Sequence, residues 1–85
     1  MIEFDPDRTV WAQVYDLLRE RIEGGVYKER HPIPSIAHLE QELGIARQTV
    51  RKVIGKLADD GLVRVIGGKG TFVRPQEDWQ QPEEK

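Results

Sequence analysis

The residues with the most legible chemistry stand in one run, ELGIARQTVRKVIGKL, from Glu42 to Leu57. Arg47, Gln48, Thr49, Arg51 and Lys52 follow one another closely there. Arginine pairs bidentately with guanine, glutamine pairs with adenine, and threonine reaches a base or a thymine methyl. Arg51 and Lys52, one helical turn later, suit phosphates, which hold a protein in register on a duplex without reading its sequence. Acids are absent from residues 43–58, so this helix face lacks the mixed signs of a salt-bridged surface.

Charge is divided unevenly along the 85 residues. Residues 1–45 carry nine acids and five bases, a net of −4. Residues 46–74 carry seven bases and two acids, +5, and residues 75–85 four acids and one base, −3. A basic face sets its own local field, so a pI near 5.7 is compatible with a polyanionic partner. The acidic parts are expected to lie away from that partner.

Other chemistries find less support. There is no cysteine, hence no disulfide and no thiolate metal site. His31 and His38 have no ligand cluster beside them in the sequence, so no metal is expected. Gly68-Lys69-Gly70-Thr71 lacks the spacing of a phosphate loop and does not open a helix. Ser35 and His38 lie at i and i+3, but no third group orients the histidine, and Ser35 reads as a helix cap. No enzymatic set and no cofactor are expected. No apolar run approaches the roughly 18 residues of a membrane span. No signal peptide opens the chain, and the expected location is the cytoplasm.

The elements that must position the basic run follow from spacing. Trp11, Val14, Tyr15, Leu18 and Ile22 fall at i, i+3, i+4, i+7 and i+11, the core-facing stripe of a helix over about residues 9–23. Asp7 or Thr9 caps it, and Gly24-Gly25 stops it. Pro32 and Pro34 exclude helix from the connector. Ser35 caps a second helix over about 36–43, marked by Ile36, Leu39 and Leu43 and ended by Gly44. A third helix starts about Ala46 and ends at Gly61. Val50, Val53, Ile54 and Leu57 lie on one side of it, with Gln48, Arg51, Lys52 and Lys56 on the other. Gly55, inside this helix, costs about 1 kcal/mol relative to alanine. LVRVI (62–66) and TFVR (71–74) form a hairpin across the glycine-rich turn GGKG (67–70). The expected organisation is a lead-in (1–8), one domain (9–75) and an acidic, disordered tail (76–85), in which Trp79 stands out as either a stray aromatic or a docking anchor. The fold class is mainly α with a small β-hairpin, a winged helix-turn-helix of three helices and a two-stranded wing.

Proline-serine at 34–35, ELGIARQTVRKVIGKLADDGLV at 42–63 and GGKGTFV at 67–73 resemble the GntR family of bacterial transcription regulators. The resemblance covers about residues 9–74. It implies that Arg47, Thr49 and Arg51 contact operator DNA, and that Gln48 fills a position where preferences differ. It also implies that Gly68, flanked by Lys69 and Gly70, approaches the minor groove from the wing tip. Ser35 and the start of the second helix would meet a phosphate.

The chain also departs from the family. Glu-Arg-Glu usually follows proline-serine, whereas Ile36-Ala37-His38 stands here. A capping-box acid and a DNA-contacting arginine are thereby missing. His38 or Gln48 is expected to replace part of the lost contact. The connector's usual proline-glycine is Glu29-Arg30, and Ala46 stands where Ser or Thr commonly caps, weakening that cap by about 1 kcal/mol. The family's C-terminal domain, which binds an effector and dimerises, has no counterpart after Arg74, so no small-molecule effector domain is expected in this chain. The expected function is sequence-specific binding of double-stranded DNA in transcription control, by repression, as a homodimer on a palindromic operator. Two other readings share the pattern. One is a winged helix that binds a protein through the same face, and the other is a replication or transfer control factor of plasmid or phage origin.

Overall fold

The computed structural model describes residues 4–79. Three helices, α1 (Val10–Glu23), α2 (Ile36–Leu43) and α3 (Arg47–Asp59), precede strands β1 (Val63–Ile66) and β2 (Gly70–Val73) and a short 3-10 turn, Gln76–Asp78. This is a winged helix-turn-helix, as the spacing predicts.

Local chemistry accounts for the helix ends. Thr9, rather than Asp7, caps α1, its hydroxyl accepting from the Ala12 N–H. Ser35 Oγ accepts from the His38 N–H at 3.1 Å and so satisfies one of the free donors at the start of α2. Gly44 leaves α2 in the left-handed region, φ 67°, which turns the chain sharply into α3. Ala46 gives α3 no side-chain cap.

One core joins all elements. Val14, Leu18 and Ile22 of α1, Leu39 and Leu43 of α2, and Val50, Val53, Ile54 and Leu57 of α3 are buried together with Leu62, Val63 and Val73. Each large side chain so buried contributes about 1.5–3 kcal/mol. Trp11 and Tyr15, on the α1 stripe, are half-buried at the rim of this core rather than inside it.

Two polar ties fix α1. Arg21 donates to Glu42 Oε2 of α2 and to the Tyr27 hydroxyl of the connector, each at 2.6 Å. The Arg21 guanidinium holds the Glu42 carboxyl below the usual carboxylate range. At the other end, the Tyr15 hydroxyl donates to the Asp60 carboxylate and accepts from Arg19. Burial first, and then the bond to Asp60, push the Tyr15 phenol upward.

β1 and β2 pair antiparallel with Val63 opposite Val73, Arg64 opposite Phe72, Val65 opposite Thr71 and Ile66 opposite Gly70. The connector extends this sheet, which the sequence reading does not anticipate. The Ile33 N–H donates to the Thr71 carbonyl at 2.8 Å, and the Val73 N–H to the His31 carbonyl at 3.0 Å. Pro32 pairs with Phe72 between those bonds, a position where no N–H is needed. Two strands alone are marginal in water, so the added edge and the core stabilise the wing. Arg30 is held at φ 64° in the left-handed region and costs about 1 kcal/mol for it.

The tail departs from expectation over residues 76–79. These form the 3-10 turn, and the Trp79 indole N–H donates to the Arg74 carbonyl at 2.8 Å while the ring packs on the core. Trp79 is thus an anchor. Residues 80–85 of the expected tail, and 1–3 of the lead-in, lie outside the described residues.

Candidate nucleic-acid interface

Burial of Val50, Val53, Ile54 and Leu57 fixes which side of α3 faces out. Arg47, Gln48, Arg51, Lys52 and Lys56 are exposed, and Thr49 is half-buried at the first turn. Gly55 lies on the exposed side, where an added Cβ would meet nothing, so packing within the domain does not require glycine.

The exposed cations differ in their partners. Arg47 Nε donates to Glu40 Oε1 of α2 at 3.0 Å. The Lys52 ammonium lies over the Trp11 ring, 4.7 Å from its centre, a contact worth about 0.5–1 kcal/mol at such a surface. Lys56 lies 3.6 Å from Asp60. Arg51 and Gln48 have no polar partner among the described residues. The expectation that acidic parts lie away from the basic face therefore needs correction. Glu40 and Asp60 border it at opposite ends of α3. The sequence shows no acid along α3 before Asp59 at its end, but the Gly44 turn folds the second half of α2 against the start of α3.

Ser35 and the wing tip converge on one open cleft of about 460 Å³. Gly68, Lys69 and Gly70 form its outer wall, and Ile36, Ile54 and Val65 contribute apolar lining. The wing turn closes through the Lys69 N–H to the Ile66 carbonyl at 3.0 Å. Gly68 there takes φ 77°, which favours glycine. His38 points elsewhere, its Nε2 3.9 Å from Glu42 Oε1, while His31 Nδ1 contacts the Glu29 carbonyl at 2.8 Å.

The predicted residues thus fall in two groups, Arg47 to Lys52 on α3 and Ser35 with Gly68 to Gly70 around the cleft. Sequence reasoning missed Glu40 and the platform role of Trp11. Neither has a signal along the chain, because each meets its cation only through the packing of a different helix. Among the described residues there is no group of three side chains that could hold a metal. No described helix is long and apolar enough to cross a membrane.

Known proteins share both the sequence pattern and this arrangement. The HTH-type transcriptional regulator TreR of Bacillus subtilis is 38% identical over 69 residues, which cover 81% of this chain and 29% of that protein. The histidine utilization repressor of Pseudomonas putida is 34% identical over 64 residues, covering 75% of this chain and 26% of its own length. The chain therefore spans between a quarter and a third of these relatives. The DNA-binding domain of AraR, solved in complex with operator ORX1, superposes with a TM-score of 0.77 at 32% identity. That match covers 86% of this chain and 94% of the solved one. A GntR family transcriptional regulator from Listeria monocytogenes shares the fold, with a TM-score of 0.82 at 18% identity over 87% of this chain and 65% of that one. The family described as bacterial regulatory proteins, gntR family, matches residues 11–73, from the first turn of α1 to the end of β2, and the chain belongs to that family.

Proposed function

We propose that this chain is a sequence-specific reader of double-stranded DNA that acts in bacterial transcription control, by repression. The observation that carries the reading is the outward side of α3. It presents Gln48 and Arg51 without internal partners, beside Arg47, on a helix whose other side is fully committed to the core. The likeness to a domain solved on its operator supports the same conclusion.

In this reading α3 enters the major groove with its N-terminal residues toward base edges. Arg47, Gln48 and Thr49 read bases, and Arg51 and Lys52 meet phosphates. The wing brings Gly68, Lys69 and Gly70 to the adjacent minor groove, and Ser35 with the start of α2 meets the backbone that passes between. His38, 3.9 Å from Glu42 in the free chain, stands outside these contacts. Two copies on a palindromic site supply affinity that one module of this size lacks. The domain requires no cofactor, catalyses no reaction and works in the cytoplasm.

The test begins with selection of duplexes from a random pool by the 85-residue chain. Fluorescence anisotropy then compares a selected duplex with a scrambled one across about 50–200 mM salt. The reading predicts enrichment of a common sequence and binding that weakens steeply with salt. No enrichment, together with salt-insensitive behaviour, would instead favour a protein partner for the α3 face.

A further inference from the structure

We infer that Glu40 is a specificity-determining residue, which holds Arg47 for base recognition and keeps it off phosphate; this rests on the DNA-reading assignment above. Glu40 belongs to α2 and Arg47 is the first residue of α3, so their contact spans the turn. Glu40 Oε1 takes one donor of Arg47, Nε, at 3.0 Å. The two terminal nitrogens have no partner among the described residues, and the Arg47 side chain is 57% exposed.

A guanidinium carries five donors in a rigid fork on a flexible stem. Guanine recognition needs two adjacent donors aimed at O6 and N7. With Nε held by the carboxylate, the end of the fork formed by the two terminal nitrogens is what remains for a base. The ion pair also restricts the stem before DNA arrives, so less side-chain freedom is lost on binding. The Glu40 carboxylate, 29% exposed and with no other side-chain partner among the described residues, acts in the opposite direction on phosphates. Like-charge repulsion raises the cost of any docking that brings the DNA backbone against the start of α3. Both effects favour the correct sequence over the rest. Arg51, one turn on, has no such carboxylate. Its charge is open to any phosphate, so it contributes affinity without discrimination.

The experiment uses the 85-residue chain, a duplex it selects from a random pool, and a scrambled duplex, read by anisotropy at fixed salt. Glu40→Gln keeps the shape and an acceptor but removes the charge. It is expected to tighten binding to the scrambled duplex several-fold and to cut the preference for the selected duplex by about tenfold. Replacement of guanine by 7-deazaguanine in the selected duplex should cost the wild-type chain more than the variant. In an Arg47→Ala background, Glu40→Gln should change the preference much less, because only the direct repulsion of phosphate is then left to lose. Arg47→Lys, which keeps the charge and loses the fork, should lose preference as Arg47→Ala does. An unchanged preference ratio in Glu40→Gln overturns the inference, as does an equal effect of Glu40→Gln with and without Arg47. If the wild-type chain selects no sequence at all, the underlying DNA-reading assignment falls first. That outcome does not involve Glu40 and is distinguishable on that ground.

Discussion

The back of α1 and the front of α3 both carry arginines, and they treat them differently. Arg21 and Arg19 on α1 are tied into the molecule, through Glu42 and Tyr27 in one case and Tyr15 and Glu23 in the other. On α3, Arg51 has no partner among the described residues, Arg47 gives one donor to Glu40, and Lys52 rests on a ring face. The same residue type thus ties α1 to α2 through Arg21, braces α1 within itself through Arg19, and stays available on α3. Cations left available on a rigid helix are suited to a partner that brings its own negative charge.

The sharpest way to separate the two roles is to perturb α3 from either side. Leu57→Ala, on the buried face, is expected to cost about 2–5 kcal/mol of stability, measured by urea unfolding, because it leaves a cavity in the shared core. Arg51→Ala, on the outer face, should leave stability within about 0.5 kcal/mol. It should weaken binding to selected and scrambled duplexes alike, on the order of tenfold, and lower the salt slope by about one. A large loss of stability from Arg51→Ala would erase the distinction between the faces.

Glu42→Gln probes the back alone. It should cost about 1 kcal/mol at neutral pH by removing a charge-assisted bond to Arg21, with DNA affinity unchanged. The folded-state carboxyl of Glu42 is depressed, so its contribution is complete above the ordinary range near 4.3 and fades as pH falls through the folded value. The stability difference between the two proteins, followed by unfolding across pH 7 to 2, should therefore shrink on the acid side. A constant difference would contradict the pairing as its source. Gly55→Ala should have the smallest effect, a gain of about 0.5–1 kcal/mol in thermal unfolding, since a Cβ there meets nothing. If it stabilises the chain and weakens DNA binding together, the outer face of α3 approaches its ligand closely at that point.

The helices and the wing were legible because each rests on a local signal. The α1 stripe, Ser35 as a cap, Gly44 as a turn and the alternating strands are patterns of near neighbours in sequence. What was not legible depends on distant contacts. The pairing of Ile33 with Thr71 and of Val73 with His31 makes the connector part of the sheet, though its two prolines predict only the absence of helix. Trp79 in a polar tail leaves a stray aromatic and an anchor both open to a local reading, and only the bond from its indole to the Arg74 carbonyl decides for the anchor. In the candidate site the positions of Arg47, Gln48, Thr49 and Arg51 followed from periodicity. Their electrostatic environment did not, since Glu40 reaches Arg47 only across a turn whose geometry is set by the left-handed Gly44.

On the proposed reading, the front of α3 and the wing tip form the surface that meets DNA, while α1 does not. Amide chemical shifts of the 85-residue chain, followed by NMR during titration with a selected duplex, test it most directly. The largest shifts should fall on Arg47 to Lys56, on Ser35 and on Gly67 to Gly70, with Asp16, Glu20 and Glu23 on the outer side of α1 unmoved. Large shifts along α1 with a silent α3 and wing would contradict it.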